Sequence, residues 1–195
     1  ALLRGSFLAL SMAWAPMHRG RMLCGAIAFQ TEGGRVTAHY VENVLGRAIV
    51  FDGTGLEDGK TGQVSMRCEA NGAAFLMAFH LPPVPGNLAG GIFAGNALYD
   101  SNSEPTACSI LLLRNHELPH AELEVVTGYQ DPDESVLADW LERVGYGQDP
   151  KLAAEREMLR LLNGVEGPTV SLRRDDLGRA AMLLDERRFA VAGRS

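Results

Sequence analysis

Between Met22 and Tyr129 the chain is cut into short apolar runs of strand length, separated by glycine-bearing turns. This punctuation constrains the fold more than any other feature. The runs are residues 23–29, 36–41, 47–51, 63–68, 73–80, 109–113 and 122–129. Glu32-Gly33-Gly34, Asp52-Gly53 and Asn71-Gly72 fall between them, and glycine and asparagine tolerate the positive φ that tight hairpins need. A mostly antiparallel sheet is expected, with Asn71-Gly72 its best-defined turn.

Two helices should follow. Asp131 is placed as an N-cap, with Pro132 at the first helical position and Glu134 closing a capping box. Val136, Leu137, Trp140, Leu141 and Val144 form one apolar stripe, which Gly145 ends. Asp149 and Pro150 repeat the device ahead of Leu152, Leu159 and Leu162, and Asn163-Gly164 stops the second helix. The repeated Gln-Asp-Pro reads as one capping solution used twice. This predicts a helical hairpin over 131–164, then a tail (165–195) with strands at 169–172 and 189–192.

The first 21 residues form an apolar segment ahead of a single α+β domain, 22–195, whose strand-rich part is 22–130. The run from Phe7 to Ala15, with Ala13-Trp14-Ala15, has the look of a short signal peptide. It is read here as a retained apolar helix that packs on the body or on a partner. It is too short to span a membrane.

Composition narrows the function classes. A formal charge of -6, with no Lys/Arg cluster to offset it, argues against nucleic acid as the main partner. The three cysteines, Cys24, Cys68 and Cys108, are odd in number, widely spaced and flanked by apolar residues. They read as reduced buried thiols in a reducing compartment, the cytoplasm or an organelle matrix. No C-x-x-C pair offers a thiolate zinc site.

Two motif-like strings fail on physical grounds. Gly59-Lys60-Thr61 follows a strand, but neither Gly53 nor Gly55 stands at the spacing of a phosphate loop, and Glu57 and Asp58 would face the phosphates. His116-Glu117-Leu118-Pro119-His120 spells a zinc-protease helix, yet Pro119 removes a donor and disfavours the α conformation at Leu118. These residues are expected in a turn that enters the strand 122–129, and no metal site is assigned.

The glycine-rich stretch 81–100 remains. Three prolines end a strand, and Gly90-Gly91 then reads as the opening of an apolar helix over 92–99, whose free N–H groups could face an anion or a carbonyl oxygen. With its surroundings, over residues 73–132, it resembles the centre of hotdog-fold acyl-CoA thioesterases. The counterparts are the strand 73–80, Gly86-Asn87, Gly90-Gly91, Asp100, and Tyr129 with Pro132. Ala89 stands where that family often has histidine, and Asp100 lies about two residues too far along.

The resemblance implies an antiparallel sheet around an apolar helix, an acyl-thioester ligand, a homo-oligomer and no cofactor. Asp100 and Asn87 would be the catalytic residues, with Gly90, Gly91 and Asn96 binding substrate. The alternatives are a non-catalytic subunit of an assembly, joined through the apolar N-terminal segment, and, last, a zinc hydrolase using His116 and His120.

Overall fold

In the computed structural model, which describes residues 3–13, 16–81, 86–96, 105–147, 153–163 and 174–192, eight antiparallel strands run up and down and close on themselves. They are β1 (Gly5–Met12), β2 (Met22–Glu32), β3 (Arg35–Val44), β4 (Arg47–Glu57), β5 (Thr61–Arg67), β6 (Ala74–His80), β7 (Leu88–Asn96) and β8 (Pro105–Arg114). Each pairs with the next, and β1 closes the barrel by pairing with both β2 and β8. Closure matters because an open sheet would leave rows of unpaired backbone groups at its edges. A ninth short strand, β9 (Gly128–Gln130), pairs with the start of β2.

Side chains alternate across the wall and build two cores. The inward set, including Phe7, Phe29, Tyr40, Phe51, Phe75, Phe79 and Phe93, fills the lumen. Phe75 is its hub, with ring centroids 4.5 Å from Phe51 and 4.4 Å from Phe93. An eight-stranded barrel is just wide enough to be filled this way or to hold one small ligand. Glycine makes the filling possible: a Cβ at inward-facing Gly91 would overlap the backbone and Cβ of Phe79.

The outward set of the β1, β2, β7 and β8 sector, among them Leu8, Leu10, Met22, Cys24, Leu88, Leu111 and Leu113, packs beneath helices. These are α2 (Glu134–Arg143), α3 (Ala154–Leu162) and α4 (Arg174–Ala192), which supply Trp140, Leu141, Met158, Leu161 and Leu184. A bidentate pair locks α3 to α4, Arg187 Nη1 and Nη2 donating to Glu155 Oε1 (2.6 Å) and Oε2 (2.7 Å). A shorter helix, α1 (His120–Val125), lies over β2 and β3. None of the helices among the described residues is long and apolar enough to cross a membrane.

The architecture corrects the expected α+β, hotdog-like fold: among the described residues no helix is wrapped by the sheet, which closes as a barrel. Residues 92–96, taken as the start of a helix, lie in β7, paired with β6 and β8. Residues 7–12 of the apolar N-terminal run lie in β1, a strand of the wall and not a helix. Residues 122–129 form no single strand, since α1 and β9 divide them. Residues 189–192 end α4, and the other tail strand, 169–172, lies outside the described residues.

Smaller differences have local causes. Asp52-Gly53 is no turn but mid-β4, where a Cβ at Gly53 would overlap Met66. The cap of α2 is Asp133, whose carboxylate accepts from the Ser135 N–H at 2.7 Å, two residues past the expected Asp131. Asp149, Pro150 and Leu152 lie outside the described residues.

Candidate functional site

The polar chemistry concentrates on one stretch of β3, His39-Tyr40-Val41-Glu42-Asn43. Here the wall splits. The β2–β3 ladder runs only as far as Ala26 opposite Val41, and beyond it β9 takes over the edge of β2. Asn43 seals the seam: its backbone N–H donates to Thr127 Oγ1 (3.0 Å), and its side-chain amide donates to Glu124 O and to Thr127 Oγ1 (both 2.9 Å). The Glu124 carbonyl near the end of α1 thereby gains a second donor beside Thr127 Oγ1 (2.9 Å).

Strand alternation then sends Tyr40 and Glu42 inward and His39 outward. Glu42 is buried, 4% exposed, and Tyr40 Oη donates to its Oε2 at 2.8 Å. Gly25 makes room for this pair, because a Cβ there would overlap the Tyr40 ring and hydroxyl. Burial disfavours the charged carboxylate and pushes the Glu42 pKa up to about 7, against the opposing pull of the Tyr40 hydrogen bond. Burial likewise pushes the Tyr40 phenol up, and Glu42 adds to the shift.

Ser11 is a second buried polar residue facing the lumen, and it lies toward the same end. It hydrogen-bonds Cys108, whose thiol burial pushes up to about 12. The opposite end is closed by apolar groups that include Leu3, Phe29, Phe79 and Leu81.

On the outer face, register places Ser6, Ala28, His39 and Asp52 in one row across β1 to β4. The helix α1 crosses this row and brings His120 and Glu124, one turn apart. His39 Nδ1 lies 2.7 Å from Asp52 Oδ1, and an ionised carboxylate only accepts, so Nδ1 carries the proton. His120 Nδ1 lies 2.8 Å from Ser6 Oγ. Both Nε2 atoms turn towards Glu124 Oε1, at 3.6 Å from His39 and 3.1 Å from His120. Burial lowers the His120 pKa, Glu124 opposes that shift, and His39 adds to it.

The residues singled out from the sequence are dispersed. Asn87 is buried; its Oδ1 accepts from His116 Nε2 (2.8 Å) and its Nδ2 donates to Asp185 Oδ1 of α4 (2.6 Å). Gly90 faces outward against Leu177 of α4, and Gly91 faces the lumen. Asn96 ends β7 opposite Pro105, and Asp100 lies outside the described residues. The His116 and His120 imidazoles do not converge: the first bonds Asn87 and the second bonds Ser6.

What the sequence reading missed is Glu42, for which a signal existed. It follows Val36, Ala38 and Tyr40 at the same parity, so a carboxylate sits on the apolar stripe of a strand. Comparison with family models, with curated proteins and with solved structures gives no match.

Proposed function

We propose that this barrel binds a small ligand at the end of its lumen where Glu42 lies, through a hydrogen-bond donor or a positive charge on the ligand. The observation that carries this reading is the buried carboxyl itself. A carboxyl group held among apolar residues by one hydrogen bond costs stability, and an isosteric apolar side chain would not. A buried ionisable group with a pKa shifted by its surroundings is a candidate functional group on physical grounds. The mouths of β-barrels are where such ligands lodge.

Near neutral pH Glu42 is poised between two roles. Protonated, it donates to a ligand acceptor; ionised, it pairs with an ammonium or accepts from an amide or hydroxyl. The aromatic wall of Tyr40, Phe51 and Phe75 supplies an apolar body contact beside it. The acyl-thioester alternative drew its chemistry from a helix opened by Gly90 and Gly91. Both glycines lie in β7, so the lumen acid is the better-supported contact.

The test is calorimetric titration of benzylamine and short n-alkylamines into the whole chain, beside the matching alcohols and the Glu42→Gln variant. Saturable amine binding that weakens about tenfold or more in the variant is expected, since a charged hydrogen bond contributes about 1.5–3 kcal/mol. Equal affinity in the variant, or no saturable binding by any amine or alcohol, overturns the reading.

A further inference from the structure

The outer face of β3 carries a second constellation, in which two imidazole nitrogens face one carboxylate oxygen. With its Nδ1 directed to Asp52, His39 turns Nε2 toward Glu124 Oε1 at 3.6 Å. His120 Nε2 is buried and makes no directed hydrogen bond, although Glu124 Oε1 stands 3.1 Å away. Three potential ligand atoms, His39 Nε2, His120 Nε2 and Glu124 Oε1, are thereby brought together at one place.

The donor set has the chemistry of a metal site. Two imidazoles and one carboxylate suit zinc and its neighbours in the first transition row. Metal-bound histidines almost always direct their other ring nitrogen to a carboxylate, a carbonyl or another oxygen. Asp52 and Ser6 occupy those positions at 2.7 and 2.8 Å. His120 and Glu124, four residues apart on α1, share a helix face, so one short element delivers two donors to a third on the barrel wall.

The geometry is open. Among the described residues no group of three His, Cys, Asp or Glu side chains is already spaced to hold a metal ion. The His39 and His120 rings stand 6.4 Å apart at their centroids. Around a tetrahedral ion with metal–nitrogen bonds of ~2.1 Å they would stand about 5 Å apart. Closing the site therefore takes about 1 Å of movement, within reach of side chains that are 42% and 26% exposed.

We propose that His39, His120 and Glu124 form a site for a divalent transition metal ion, Zn²⁺ in the first instance, closed when the ion draws both Nε2 atoms inward. Asp52 and Ser6 orient the two imidazoles, and the fourth position is left to water. The site lies on the opposite face of β3 from Glu42 and does not depend on the lumen reading.

The experiment is titration of Zn²⁺ into the whole chain at neutral pH by calorimetry, with histidine-ring NMR of the unaltered protein as a second readout. One ion per chain is expected. Its affinity should fall at least about tenfold in His39→Ala and Glu124→Gln, and by ~10–100-fold in Asp52→Asn. His116→Ala should bind as the parent does. In the unaltered protein, Zn²⁺ should shift the ring signals of His39 and His120 and leave those of His116 in place. Absence of saturable binding overturns the proposal, as does binding that survives His39→Ala or shifts only other histidines. Because the ring signals need no substitution, a variant that misfolds leaves the test intact.

Discussion

The barrel wall has two kinds of sector. In β4, β5 and β6 one face meets the lumen and the other meets solvent, so buried and exposed residues alternate, as in Thr61–Arg67. In β1 and β8 both faces are covered. Phe7 and Ala9 point into the lumen while Leu8 and Leu10 point beneath the helices. The same strand geometry thus produces an alternating sequence in one sector and a continuous apolar run in the other. The two cores share a wall but differ in freedom: the lumen core is enclosed by a hydrogen-bonded ring, whereas helices can shift over the outer core.

That difference ranks the expected effects of substitution. Phe75→Ala opens a hole among Tyr40, Phe51 and Phe93 that the closed ring cannot collapse, and should cost about 4 kcal/mol in urea unfolding. Glu42→Gln tests the same core by charge. With a pKa raised from 4.5 to about 7, Glu42 favours the fold while it is protonated. That advantage is full below the unfolded value and is lost as pH rises towards about 7, a loss of about 3 kcal/mol. Unfolding across this pH window should show the slope in the parent and a flatter curve in Glu42→Gln. If the slopes match, Glu42 is not buried as described.

The outer core should respond more mildly. Leu161→Ala, fully buried in α3, is expected to cost about 2 kcal/mol because the helices can close on the gap. Hydrogen exchange should speed up in α3 and α4 before the barrel amides. A cost equal to that of Phe75→Ala would show that the two cores unfold as one. The smallest effect is a gain. Leu45 holds φ 53 at the exposed tip of the β3–β4 hairpin, a left-handed conformation unfavourable for leucine. Leu45→Gly should raise stability by about 1 kcal/mol or less in the same assay, without touching either core.

The bare sector was legible in the sequence because its alternation is local: β4 to β6, like their neighbours β2 and β3, stand close to where the pattern put them. The clad sector was not. β1 reads as a helix because an apolar run has no period, and its helical cover is distant in sequence. β7 misled for another reason, since Gly91 and Gly95 are small to admit Phe79 and Phe75, yet adjacent glycines and an apolar run look like a helix start. In Ala-Glu-Leu-Glu-Val the alternation suggested a strand, and tertiary contacts made it α1. The outer-face cluster was hidden in the same way: His39 meets Asp52 through register, and it meets His120 and Glu124 through the packing of α1 on the wall. Neither is visible as spacing.

The closure of the barrel also sets an order of events. Phe7 must find Arg114, so β1 completes its pairing only after β8 exists, while its other edge can zip to β2 early. Until then β1 is a half-paired strand with apolar side chains on both faces. Pairings of such long range are slow to form, and unpaired apolar strands are prone to aggregate while they wait. The first strand of the barrel in chain order is therefore the last to be satisfied, and the yield of folded protein depends on how well β1 is shielded in the interval.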